Sequence, residues 1–192
     1  MLLCLLKMIT TEAGRVSING IDNANVAGDA LRLRMNVVAQ DPLLLPGTVR
    51  FNIDPLGAAN ECDIVQALRD VRLWDIVEAQ GGLEQQLDAA AWSVGQKQLL
   101  CFARAMVRSS KVLLLDEAMS SVDAETESLM QEIMDTHFKG CTVVAVMHRL
   151  DFVERYDKVA LLDSGRLIEY DAPSTLLAGD TGFAALHGSA TH

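Results

Sequence analysis

Residues 112–117 read Val112-Leu113-Leu114-Leu115-Asp116-Glu117, four apolar residues followed at once by two acids. A short unbroken apolar run is the pattern of a strand covered on both faces, as in a parallel sheet flanked by helices. The two acids stand at its carboxyl end, the edge at which α/β sheets place their ligands. There one carboxylate can hold a magnesium ion, directly or through water, while the next can take a proton from an attacking water. The same six residues also describe a core strand followed by a solvated acidic turn, so the run alone establishes a strand and no chemistry.

Working outward from this strand, Ala124 to Phe138 has helical spacing and Thr142 to Val146 is a second apolar strand. Strand, helix and strand in that order make a crossover of the α/β kind and predict a parallel sheet. Lys158 to Leu162 is a further strand candidate. Upstream, Gly14 to Asp22 (GRVSINGID) has the alternation and glycine punctuation of a strand and turn. Asn36 to Ala39 reads as another short strand, broken by Gln40, Asp41 and Pro42. From Thr48 to Arg108 apolar residues recur at helical spacing, as in Ile64, Leu68 and Val71, or Leu99, Phe102, Ala103 and Met106. Met1 to Ile9 (MLLCLLKMI) lacks the basic lead-in and cleavage site of a signal peptide and is far short of a membrane span; it reads as the body of a buried helix.

The bulk properties fit one compact domain of 192 residues, half of them apolar and 22% charged. A formal charge of −10 argues against a nucleic-acid partner held through its phosphates, because that affinity comes from Lys and Arg displacing counterions. Four cysteines, Cys4, Cys62, Cys101 and Cys141, show neither C-x-x-C nor histidine-interleaved spacing, so no zinc site or disulfide framework is signalled and a reducing compartment fits best.

Four other places carry candidate chemistry, each with a plainer alternative. Trp92-Ser93-Val94-Gly95-Gln96 stands directly before an amphipathic helix: Ser93 is an N-cap candidate, and Gly95 would let a ligand approach the unpaired backbone N–H groups there, although a helix cap with no ligand explains the same residues. His148 ends the strand that begins at Thr142 and could donate a hydrogen bond to a phosphate, or be purely structural. Gln40 ends a strand and could offer a carbonyl oxygen to a metal or water. Asp123 is by default the N-cap of the helix after it.

The order of these features carries more weight than any one of them. Gln40 with QDP, then SVGQKQLLCFARA (93–105), VLLLDEAMSSVD (112–123), the VMHRL histidine and a strand ending in DSG together resemble the ATPase domain of ATP-binding cassette (ABC) transporters from its Q-loop onward. QDPLLLPGTVRFNIDP (40–55) with WSVGQKQLLCFARA (92–105) is similar to the second nucleotide-binding domain of subfamily C, the multidrug-resistance-associated exporters. The resemblance implies an α/β fold, a truncated P-loop NTPase core with a mainly parallel sheet and an inserted helical subdomain. It implies a single partial domain over residues 1–192: 1–47 a remnant of the core with the Q-loop, 48–108 the helical subdomain with the signature motif, and 109–192 the core with Walker B, D-loop and switch histidine.

Roles follow at the matching positions. By resemblance Asp116 orients magnesium, Glu117 is the general base, and His148 contacts the γ-phosphate of ATP. Gln40 senses the metal and water and links the site to the membrane domain. Ser93, Gly95 and Gln96 close over ATP held by an opposing domain, and Asp123 bridges the two sites. ATP and Mg2+ are the implied ligands; a second nucleotide-binding domain and transmembrane domains are the implied partners, and the cytosolic face of a membrane is the implied location.

Two departures stand out. Trp92 occupies a position where such domains usually carry Leu or Phe, and the phosphate-cradling string G-x-x-x-x-G-K-[ST] does not occur in these 192 residues. In this family that loop runs into a helix like Met1 to Ile9, so the chain is expected to begin just after it. The 192 residues alone are then expected to bind MgATP poorly, to hydrolyse it negligibly and to expose apolar surface. The leading expectation is an ATP-hydrolysing domain that powers transmembrane export; the alternative is a non-catalytic fragment able only to pair with an intact domain. A soluble ABC ATPase acting on DNA is disfavoured by the acidic charge, the lack of coiled-coil heptads and the exporter-like 40–55 segment.

Overall fold

The computed structural model describes residues 1–190, which divide into two compact units, Met1–Val146 and a second that begins at Met147. The first unit opens with α1 (Leu2–Leu5), a single turn. The expected helix to Ile9 stops early because Lys7 takes a left-handed conformation (φ 53°), with its N–H donating to the Cys4 carbonyl at 3.1 Å and that of Met8 to the Leu3 carbonyl at 2.9 Å. Tertiary contacts hold the reversal: Lys7 Nζ donates to the carbonyls of Asn23, Ala24 and Val26 at 3.1, 2.9 and 2.8 Å. β1 (Ser17–Ile18) and β2 (Ile21–Asp22) form a tight antiparallel hairpin. Asn19 and Gly20 both have positive φ at its turn, which suits the right-handed twist of paired strands.

A short α2 (Gly28–Arg32) leads into β3 (Met35–Val38), one residue earlier than the strand expected over 36–39. The helical stretch then resolves into α3 (Val49–Ile53), α4 (Glu61–Asp70), α5 (Trp74–Ala79) and α6 (Val94–Val107). After it come β4 (Val112–Asp116), α7 (Ala124–His137) and β5 (Thr142–Val146). The three longer strands form a parallel sheet in the order β3-β4-β5, with Val38 opposite Leu115 and Asp116 opposite Val146.

Because β4 is central and covered on both faces, its apolar run is continuous. Leu113 and Leu115 join the larger core with Val38, Ile53, Leu68, Phe102 and Met130, whereas the fully buried Leu114 packs on the other face with Leu2, Leu6, Leu31 and Met35. Each such side chain contributes roughly 1.5–3 kcal/mol through burial. Phe102 of α6 meets Phe138 edge to face, with ring centroids 6.5 Å apart.

The second unit holds β6 (Val159–Asp163), β7 (Arg166–Asp171), α8 (Pro173–Ala178) and α9 (Gly182–Ala190), with a small core of Val153, Leu176 and Phe183. The strand expected over 158–162 is present as β6. It pairs antiparallel with β7, a strand not anticipated from sequence, through a turn in which Ser164 (φ 49°) and Gly165 (φ 76°) are both left-handed.

Candidate functional site

Asp116 is the last residue of β4, with its side chain exposed. Glu117 then turns the chain off the sheet at φ 51°, which costs about 1–3 kcal/mol in a residue with a side chain. Two hydrogen bonds pin this conformation: Glu117 N–H donates to the Val146 carbonyl at 2.9 Å, and the Glu117 carbonyl accepts from Ser120 N–H at 3.0 Å. Gln40 leaves β3 two residues past Val38, so the β3–β4 register brings Gln40, Asp116 and Glu117 to the same carboxyl edge of the sheet. The Gln40 side chain is exposed, while its carbonyl accepts from Gln98 Nε2 at 2.7 Å.

Ser93 caps α6 as expected, and it does so reciprocally. Its Oγ accepts from Gln96 N–H at 3.2 Å, and its own N–H donates to Gln96 Oε1 at 2.9 Å. Gly95 lies in the first turn, where an added Cβ would come within 3.1 Å of Thr126 Oγ1 and 3.2 Å of Thr126 Cγ2. Asp123 caps α7, accepting from Thr126 N–H at 2.9 Å and Thr126 Oγ1 at 2.8 Å. These bonds, the backbone one first, hold the Asp123 carboxyl below the ordinary carboxylate range. The start of α6 and the cap of α7 are therefore packed on each other. His148 does not end β5 but lies two residues beyond it, exposed, in the second unit; the other candidate residues belong to the first.

Among the described residues no group of three or more His, Cys, Asp or Glu is placed to hold a metal ion, and no helix is long and apolar enough to cross a membrane. An exposed Asp116 next to Glu117 suits magnesium in one particular way. That ion takes one or two carboxylates and completes its shell with phosphate oxygens and water, so the pair fits a magnesium ion that arrives with a phosphate.

A sheet edge carrying Gln40, Asp116 and Glu117 beside a capped Ser93-Val94-Gly95-Gln96 helix is matched by a known family: the family model described as ABC transporter covers residues 1–120. The chain belongs to the ABC transporter family. It is 39% identical to "ABC multidrug transporter B" of Aspergillus fumigatus over 98% of this chain and 13% of that protein. It is 40% identical to "ATP-binding cassette sub-family C member 3" of Homo sapiens over 93% of this chain and 12% of that protein. The chain thus spans about an eighth of the length of these two relatives. Among solved structures, one described as a bacterial Atm1-family ABC exporter with ATP bound superposes with a TM-score of 0.92 at 27% identity, over 100% of this chain and 34% of that one.

Three residues of the ABC chain were not singled out from sequence. Thr126 closes the Asp123 cap against Gly95. Arg104 donates from Nε to the Asn52 carbonyl at 2.6 Å and from Nη1 to the Leu43 carbonyl at 3.0 Å. Gln98 donates to the carbonyls of Ala39 and Gln40. A signal for Gln98 existed: it is a polar residue three and four positions before Cys101 and Phe102, on the buried stripe of α6.

Proposed function

We propose that this chain is the ATP-hydrolysing part of a membrane exporter, corresponding to the second nucleotide-binding domain of a subfamily C transporter. The observation that carries the reading is the adjacent Asp116 and strained Glu117 at the end of the central parallel strand, at the sheet edge from which Gln40 emerges. The likeness to an ATP-bound exporter supports it.

On this reading Asp116 holds the magnesium that accompanies ATP, and that ion neutralises charge on the phosphates. Glu117 accepts the proton of the attacking water, its direction set by the fixed left-handed backbone beneath it. Gln40 offers its side-chain carbonyl to metal and water and connects the site to transmembrane domains. Ser93, Gly95 and Gln96 face ATP held by a second nucleotide-binding domain, where the start of α6 favours an anion. Asp123 bridges the paired sites and His148 donates to the γ-phosphate. Residues 1–47, 48–108 and 109–192 then act as the Q-loop part of the core, the helical subdomain with the signature, and the core with the acidic pair, all on the cytosolic face of the membrane.

The test is phosphate release from MgATP by the complete natural polypeptide in membrane vesicles. Glu117→Gln is expected to lower turnover roughly 10²–10⁴-fold while photolabelling by an azido-ATP persists. Undiminished turnover in that variant overturns the assignment. A second reading is a non-catalytic partner that offers the reciprocally capped start of α6 to ATP held by an intact domain.

A further inference from the structure

Gln98 is 1% exposed, on α6 five residues after its cap Ser93. Its Nε2 donates to the Ala39 carbonyl at 2.9 Å and the Gln40 carbonyl at 2.7 Å. Both partners can only accept, so the amide cannot be turned round. Its Oε1 is buried with no hydrogen-bond partner among the described residues. An unpaired buried oxygen is destabilising, and a leucine of similar size would avoid it, so packing alone does not account for a glutamine here. What the amide does that leucine cannot is gather two successive carbonyls just where the chain leaves β3. Successive carbonyls of a regular strand point in opposite directions, so one amide holding both fixes a bend at Gln40.

Resting on the ATPase reading above, we infer that Gln98 is a positioning residue: it locks the Gln40 backbone to the helix that begins at the signature, so that the two move as one piece. Arg104, six residues along α6, does the same for the Leu43 carbonyl and Asn52. Asn36 provides an internal control. It is 2% exposed and joins the same two elements through Nδ2 to the Ala105 carbonyl at 2.6 Å, on the strand itself and away from the bend.

The experiment compares wild type, Gln98→Leu, Gln98→Glu and Asn36→Ala in the complete natural polypeptide, with kcat and KM for MgATP normalised to folded protein. Gln98→Leu is expected to keep KM within about twofold and to lower kcat roughly 10- to 100-fold, the scale of a misplaced positioning group. In Gln98→Glu a carboxylate confronts two carbonyls, and burial raises its pKa. Protonation restores one donor, so its kcat relative to wild type is expected to rise between about pH 8 and about pH 6. Asn36→Ala lowers the folded yield without changing kcat per folded molecule. An unchanged kcat in Gln98→Leu, a flat pH ratio in Gln98→Glu, or a Gln98→Leu profile that matches Asn36→Ala overturns the role. A wild-type protein that does not hydrolyse MgATP overturns the ATPase reading instead. The positioning role is then decided by hydrogen exchange, which must quicken at residues 40–45 in Gln98→Leu and not in Asn36→Ala.

Discussion

At Gly95 two local preferences oppose each other. Alanine is favoured over glycine within a helix by about 0.8–1.0 kcal/mol, and Gly95 does not have the positive φ that would require glycine. Yet a Cβ there would press on both branches of Thr126, whose hydroxyl is engaged by Asp123. The glycine is kept because the start of α6 approaches the cap of α7, and this acts independently of any ligand approaching the backbone. Gly95→Ala is therefore expected to lower the melting temperature of the wild-type protein and to raise it in a Thr126→Ala background. The double-mutant cycle should give a coupling of about 1 kcal/mol, within the range for residues in contact. Additive effects of the two substitutions would show that the close approach is not felt. Glu117 and Gln98 differ in how far sequence could reach them. Glu117 follows an apolar run that announces a strand end, whereas Gln98 is defined by carbonyls 58 and 59 residues away in the chain.

Among the elements, those read correctly are the ones whose pattern is local. β4 declares itself by four apolar residues, α7 by its spacing and its Asp123 cap, and their crossover to β5 fixes a parallel sheet. α1 is shorter than its composition suggests because the carbonyls that capture Lys7 belong to residues 23–26. β7 was missed because its alternation is weak, although Asp163-Ser164-Gly165 marks the turn that produces it. The α7 cap carries a pH dependence whose sign can be worked out. The Asp123 carboxyl is held below its ordinary range by Thr126, so its contribution is fully present above the unfolded value and is lost as pH falls through the lower folded one. Asp123→Ala should therefore lower the melting temperature at neutral pH, with the difference from wild type shrinking below about pH 4. Asp123→Asn keeps an acceptor for the Thr126 N–H and should show a smaller, pH-independent change. Melts across this range check both, and a constant difference for Asp123→Ala would exclude a contribution from the charged cap.

For the molecule as a whole, the decisive balance is between groups that attract a polyphosphate and groups that repel one. The 192 residues carry a net charge of −10 and no G-x-x-x-x-G-K-[ST] string, so they lack the lysine and glycine-rich backbone that neutralise phosphates in P-loop proteins. At the carboxyl edge of the sheet stand Asp116 and Glu117, which repel phosphate unless magnesium lies between them. The start of α6 attracts anions, but the capping box already engages the Gln96 N–H, and in the proposed assembly this surface serves ATP held by another domain. Long-range attraction does not compensate, since the field of an acidic chain disfavours the approach of an anion. The purified 192-residue chain is accordingly expected to bind MgATP more weakly than about 1 mM, equivalent to roughly 4 kcal/mol of affinity. Added to an intact nucleotide-binding domain, it should raise that domain's ATP affinity, because the signature surface needs no phosphate cradle of its own. Titration calorimetry reads both quantities. Tight stoichiometric binding by the isolated chain would mean that Asp116, Glu117 and the α6 terminus suffice without the missing string, and would sink the charge argument at its root.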